Sequence, residues 1–179
     1  EEPATAWQTN EEYEVRVFDD VAQMEQALRT RQAEEQSARL VAGFCWEWSD
    51  PNPDGSLVPD VKVGSWQRPW NRKPKEMLRK GKGSPEKPEV HPYTLWANEN
   101  SGFGEIGCIY SAQGFEFDYV GVIVGKDYKW DSEKQRWVPQ LSHNVDKGFK
   151  MGITRDKALA AEALTLVYRV LAPRGMKDA

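Results

Sequence analysis

Histidine and cysteine are scarce in this chain, two of each among 179 residues. Cys45 and Cys108 both lie in apolar, strand-like runs, where a free thiol acts as a small hydrophobe, so they read as buried and reduced. His91 and His143 stand apart, without the paired Cys or His spacing that zinc requires, and no metal site is expected. No apolar run approaches the ~18 residues of a membrane helix, and the opening residues, with two glutamates and no apolar stretch, do not read as a signal peptide. A cytoplasmic location is expected. Also missing are a GxxxxGK[ST] loop and an apolar strand ending in an Asp-Glu pair, so the chain has no cradle of its own for a triphosphate and its magnesium. The stretch GKGSPEK at 81–87 has the wrong spacing and follows no strand. No Ser/His/Asp or Cys/His set stands out for nucleophilic catalysis.

A hydrophobic content of 39% is enough for a real core, and the length suits a single domain over 1–179. The net charge of −4 argues against a general nucleic-acid coat, but the charge is unevenly spread. Residues 1–36 hold ten acids against three bases, whereas 72–87 hold seven bases against two acids. Within that basic segment Lys73, Lys75, Arg79 and Lys80 are candidates for contacts with phosphates. Its glycines and prolines equally suit a solvated loop.

Tyr13–Phe18 alternates as a half-buried strand does, and Asp19 or Asp20 can cap a following helix whose apolar stripe is Val21, Met24, Ala27 and Leu28. Ala38–Trp46 is a continuous apolar run suited to a strand covered on both faces, so the first 46 residues read β-α-β, the pattern of a parallel sheet. From about 49 to 101 prolines recur beside Trp66, Trp70 and Trp96, which marks an insertion that the tryptophans pin to the sheet. Short strands are expected there at Val61–Trp66 and Tyr93–Ala97. Glu47, Asp50, Asp54 and Asp60, the acids a nuclease would need, read as turn residues in this stretch. The next block, Ile106–Val124, reads as two strands around a polar insert. A hairpin over Asp127–Val138 and a helix over Arg155–Leu171 follow, the helix with Leu159, Ala163, Leu166, Val167 and Val170 on its apolar face.

That polar insert, Gln113-Gly114-Phe115-Glu116-Phe117-Asp118, is where chemistry is expected. A core strand has no packing reason to be interrupted by Gln113, Gly114, Glu116 and Asp118 together, which suggests a ligand met at a strand end. Gly114 allows a close backbone approach or a positive φ, and Glu116 can accept hydrogen bonds from ribose hydroxyls. Arg169 and Arg174 are five apart, so they face different ways on a helix. Arg174 is the better placed to meet a γ-phosphate held by another domain, because a guanidinium stays protonated and grips oxyanions with two N–H groups. The plainer reading is an arginine meeting the helix dipole.

Together GCIYSAQGFEFDYVGVIVG, SARLVAGFCWEW and YRVLAPRGMK resemble, in order and over most of the chain, the C-terminal half of the Schlafen group 3-like DNA/RNA helicase family, a bacterial domain family. The resemblance implies the second RecA-like domain of a superfamily-1 helicase: an α/β fold with a mostly parallel sheet flanked by helices, here carrying the proline- and tryptophan-rich insertion. Gln113–Asp118 falls on its motif V and Tyr168–Arg174 on its motif VI. By position, Gly114, Glu116 and Gln113 would border the nucleotide, Glu116 at the ribose. Arg174 would reach the γ-phosphate, and Arg39 would match the arginine near motif IV. Ser111 and Gln113 would couple the nucleotide cleft to the nucleic-acid track. The implied cofactor is ATP with magnesium, bound mainly by an N-terminal RecA-like domain that carries the phosphate loop. The other implied partner is single-stranded DNA or RNA. Without that domain the chain is not expected to hydrolyse ATP. Two departures stand out: Pro173 replaces the threonine usual before the motif VI arginine, where proline strains a continuing helix, and the sheet is expected to lack the strand that follows motif VI. The alternative is a degenerate helicase-like module that binds nucleic acid or protein without catalysis.

Overall fold

The computed structural model describes residues 15–73, 95–147, 149–150 and 156–178. In chain order its regular elements are helix α1 (Val21–Ala33), strand β1 (Ala38–Ala42), the strands β2 (Val61–Val63) and β3 (Trp66–Arg68), the short strand β4 (Ile106–Gly107), the one-turn helix α2 (Ile109–Ala112), strand β5 (Phe117–Ile123), the strands β6 (Tyr128–Asp131) and β7 (Arg136–Pro139), helix α3 (Lys157–Leu171) and strand β8 (Gly175–Asp178). Among the described residues the central sheet runs β4-β1-β5-β8, and every neighbouring pair in it is parallel. With helices packed on this parallel sheet, the fold is α/β of the RecA-like kind.

β1 is buried along its whole length, as a continuous apolar run in a doubly covered strand should be. Its alternate residues divide between two cores. Ala38, Leu40 and Ala42 face a cluster with Leu28, Val61, Trp70, Phe103, Ile106 and Ile123, whereas Val41 joins Trp96, Ala112, Phe117, Val120 and Leu171 on the other side. α1 starts where expected: the Asp20 side chain accepts from the Ala22 N–H at 2.8 Å. It lies so close to β5 that a Cβ on Gly121 would come within 2.6 Å of the Leu28 side chain.

Several expected elements differ. Residues 15–18 form no strand, and Tyr13 and Glu14 lie outside the described residues. The Val61–Trp66 stretch is a hairpin rather than one strand, because Gly64, at φ +57°, turns the chain. Of Tyr93–Ala97, residues 93 and 94 lie outside the described residues, and 95–97 make a helical turn. Only β4, two residues long, precedes the polar insert; the chain then winds into α2, and Cys108 is its N-cap instead of a strand residue. β5 already begins at Phe117, inside the insert.

The apolar face of α3 is set one position from the expected stripe. Ala160, Leu164, Tyr168 and Leu171 are buried while Leu159 and Leu166 stand exposed. The helix is apolar nearly all round, so spacing alone cannot choose its phase. β8 supplies the strand that was expected to be missing, pairing Phe117 with Gly175 and Tyr119 with Asp178.

Candidate functional site

The amino ends of β5 and β8 form an open rim. α2 stops at Ala112, and Gly114 turns the chain at φ +87°, where a side chain is strained although nothing lies near its Cβ position. Gln113 and Glu116 are exposed on the resulting loop, while Phe115 tucks against the core beneath it. Asp118 serves the fold instead of a ligand. Its Oδ2 accepts from the Ser37 N–H and hydroxyl, both at 2.9 Å, and so ties the start of β5 to the start of β1.

Arg174 comes to this same rim. Since Phe117 and Gly175 are paired, the residues just before them, Glu116 and Arg174, sit at neighbouring strand starts, with strands ~4.8 Å apart. α3 ends at Leu171, and Pro173 (φ −82°, ψ 21°) sits in a following 3₁₀ turn, so the proline stops the helix instead of straining it. Arg174 Nε donates to the Val170 carbonyl at 2.8 Å, which closes a helix-end carbonyl as the plainer reading holds. Its Nη1 lies 3.5 Å from the Phe115 carbonyl, a weak contact that aims the fork at the loop. Among the described residues no ion pair joins Arg174 to Glu116, so neither charge neutralises the other.

Other candidates lie elsewhere. Arg39 is 3% exposed and donates to three main-chain carbonyls, from Nε to Trp96 at 2.9 Å and from its two other nitrogens to Ala38 at 2.6 Å and Glu99 at 2.7 Å. It is therefore enclosed, between the Trp96 and Phe117 rings, and not presented to an incoming phosphate. Ser111 is likewise buried. Its Oγ accepts from the Cys108 N–H at 2.8 Å and donates to Asn71 Oδ1 at 3.1 Å, so it reaches back from the first turn of α2 to the capping residue. Lys73 Nζ is paired with Asp50 at 2.8 Å in a largely buried contact, so it is not a free phosphate ligand. Lys75, Arg79 and Lys80 fall outside the described residues. Of the loop acids, Asp54 acts as a turn group, its Oδ1 accepting from the Ser56 N–H and hydroxyl, whereas Asp60 accepts from the N–H and hydroxyl of Ser49, eleven residues away, and Asp50 is held by Lys73.

The opposite rim, where α/β sheets usually take ligands, is closed by the protein itself. Tyr168 reaches from α3 to the ends of β1 and β5. Its hydroxyl donates to Asp127 Oδ1 at 2.6 Å and accepts from the Gly125 N–H at 3.1 Å. It comes so near Gly43 that a Cβ there would lie 1.9 Å from the oxygen. Asp127 is fully buried, and Oδ2 has no hydrogen-bond partner among the described residues. Burial and the Asp127 charge beside it push the Cys45 thiol up to about 12, and the same two causes raise Tyr168. Both thus stay protonated at neutral pH. Composition gave no sign of this network; the one available signal was the placing of Tyr168 four residues after Leu164 on the buried face. Among the described residues no group of His, Cys, Asp or Glu is arranged to hold a metal ion, and no helix is long and apolar enough to cross a membrane.

A family model described as the Schlafen group 3 DNA/RNA helicase domain matches residues 1–179. The chain belongs to that family. No curated protein and no solved structure matches it. A helicase-like domain is thereby established, and with it the expectation of a nucleic-acid partner for this Schlafen group 3 chain.

Proposed function

We propose that this domain is the C-terminal RecA-like half of a nucleic-acid-dependent ATPase of the superfamily-1 kind, supplying Gln113–Asp118 and Arg174 to an ATP site completed by an N-terminal domain. The observation that carries the reading is the parallel pairing of Phe117 with Gly175, which sets Glu116 and Arg174 side by side at strand starts on an open rim. The donor set suits part of a nucleotide. Glu116 is an exposed acceptor for ribose hydroxyls, Gly114 leaves its main chain uncovered, and Arg174 brings a permanent positive charge to a phosphoryl group. It does not suit magnesium, since among the described residues the rim offers one exposed carboxylate, Glu116, with Asp118 committed to Ser37, and no phosphate loop. ATP supplies the phosphoryl group, and the metal and triphosphate fall to the partner domain. The part of this chain is to orient the sugar and to stabilise charge as the γ-phosphoryl group transfers.

The test is Arg174→Ala in the intact protein. Nucleic-acid-stimulated ATP hydrolysis is expected to fall by about 10³-fold, the usual share of an arginine finger. Arg174→Lys keeps a cation at the helix end but loses the fork, and should remain impaired while melting like the parent. Full stimulated turnover in Arg174→Ala overturns the assignment. A second reading, a binding module without catalysis, is favoured by the Arg174 Nε bond to Val170, which gives that side chain a structural reason to exist. It predicts salt-dependent binding of single strands with no stimulated hydrolysis in the intact protein.

A further inference from the structure

In the insertion Trp70 and Trp96 are 1% and 4% exposed, as rings that pin it to the sheet must be. Among the described residues the exposed tryptophans are on the β6–β7 hairpin. Trp130 and Trp137 are 43% and 47% exposed and are directly paired across the ribbon. Register and pleat put Tyr128, Trp130, Trp137 and Pro139 on one face. That face is an ordered row of rings. Tyr128 stacks on Tyr168 of α3 at 4.8 Å and 14° and on Trp137 at 5.4 Å and 7°, and Trp130 meets Trp137 edge to face at 5.8 Å. The row is thus anchored in the core at Tyr168 and open at Trp130. The ribbon's reverse face carries Lys129 and Arg136, both exposed and without an acidic partner among the described residues. Asp131 is engaged with Lys134 at 3.2 Å and accepts the Glu133 and Lys134 N–H groups of the turn.

The cross-strand Trp130–Trp137 pair steadies the ribbon, but the hairpin's contact with the core is already made by Tyr128, and both indoles are left open to solvent. We infer that this face is a stacking platform for unpaired bases of a single nucleic-acid strand. A base can lie on the open face of Trp130, whose ring is held edge to face against Trp137 at the end of the row. The strand's phosphates then run along the ribbon edge, within reach of the long Lys129 and Arg136 side chains. Charge selects this occupant over another apolar protein surface: among the described residues of the ribbon, with Asp131 held by Lys134, the exposed charges left are Lys129 and Arg136 against Glu133, a cationic excess although the chain as a whole is at −4. Binding through π-faces tolerates any sequence. Duplex, whose bases are already stacked, does not compete.

The proposal rests on the nucleic-acid part of the reading above and not on its ATP part, and its test needs no nucleotide. Fluorescence anisotropy of a labelled oligothymidylate is measured against the purified protein and its variants at several salt concentrations. Trp130→Leu, which keeps an apolar side chain but removes the π-face, is expected to weaken binding about five-fold or more. Trp130→Phe should recover most of the loss. Arg136→Gln should flatten the slope of log affinity against log salt by about 0.7. The row's anchor is untouched in all three, and matching melting curves establish that. Unchanged affinity in Trp130→Leu and Arg136→Gln, the result if the face instead serves a partner protein, overturns the proposal. So does an equal loss in Phe and Leu. Normal oligonucleotide effects alongside an indifferent Arg174→Ala would sink the ATP reading alone.

Discussion

A guanidinium that hydrogen-bonds three enclosed carbonyls leaves them unpaired when it is removed, and each buried acceptor so orphaned costs about 1–3 kcal/mol. That is the situation of Arg39 with Ala38, Trp96 and Glu99. Arg174, by contrast, has one firm bond, to Val170, and a long one to Phe115. The two arginines should therefore fail in different experiments. Arg39→Ala is expected to lower the urea midpoint substantially, by several kcal/mol in unfolding free energy, while stimulated ATP turnover per folded molecule of the intact protein is retained. A variant with a parental midpoint and lost turnover would return Arg39 to the site. The two are the same residue type, near a strand start in one case and just past a helix end in the other. What separates them is the 95–99 segment, which folds over Arg39 from some sixty positions away, and no local pattern announces such a cover.

At the scale of elements, α1 joins the β2–β3 hairpin through one carboxylate. Glu25, 4% exposed, accepts from Arg29 at 2.6 Å, from Trp66 Nε1 at 2.7 Å and from Arg68 at 2.9 Å. Burial alone would raise its pKa, but the hydrogen bonds from Trp66, Arg29 and Arg68 outweigh it and hold the carboxyl below its ordinary 4.5. A group whose folded pKa lies below its unfolded one stabilises the fold in full above the unfolded value and loses that contribution as pH falls through the folded one. Glu25→Gln should accordingly cost about 1–3 kcal/mol at neutral pH, and the gap between variant and parent should narrow in thermal melts as the pH falls below the ordinary 4.5 and through the lowered folded value. A gap independent of pH would remove the ion contacts from the account.

The same element shows what a sequence discloses. The Asp20 cap, the β1 run, the ribbon at 128–139 and the end of α3 were legible because each is written in a few consecutive residues. Glu25 was not, because its partners Trp66 and Arg68 arrive from the insertion. β4 was legible only as the start of a longer expected strand, and β8 carries too few apolar residues to be recognised, since Gly175–Asp178 is a strand only through pairing with β5. At the rim, the loop and the arginine were legible as residue types. The burial of Ser111 and the pairing of Lys73 with Asp50 depend on contacts far apart in the chain.

For the molecule as a whole the insertion is the decisive part, since a segment with so many prolines could unfold by itself or only with the sheet. Its side chains decide which. Val61, Trp70 and Phe103 belong to the same core cluster as Leu40 and Ile106, and Trp70 sits stacked on Phe44, just beyond β1, at 5.4 Å. Trp46 and Trp48 reach in the other direction, donating to the Lys62 and Asn71 carbonyls at 3.0 and 2.8 Å. Peeling the insertion away would bare the part of that cluster that α1 does not cover, and a fully exposed Leu, Val or Phe costs about 1.5–3 kcal/mol each. Partial unfolding is then nearly as costly as global unfolding, so the two should coincide. Urea curves followed by tryptophan emission, to which Trp46, Trp48, Trp66 and Trp70 contribute from the insertion side, and by far-ultraviolet circular dichroism are expected to superimpose with one midpoint. An emission shift that runs ahead of the ellipticity loss would mean that the insertion is a separately folding unit, and the tryptophans would then be its own core and not its bond to the sheet.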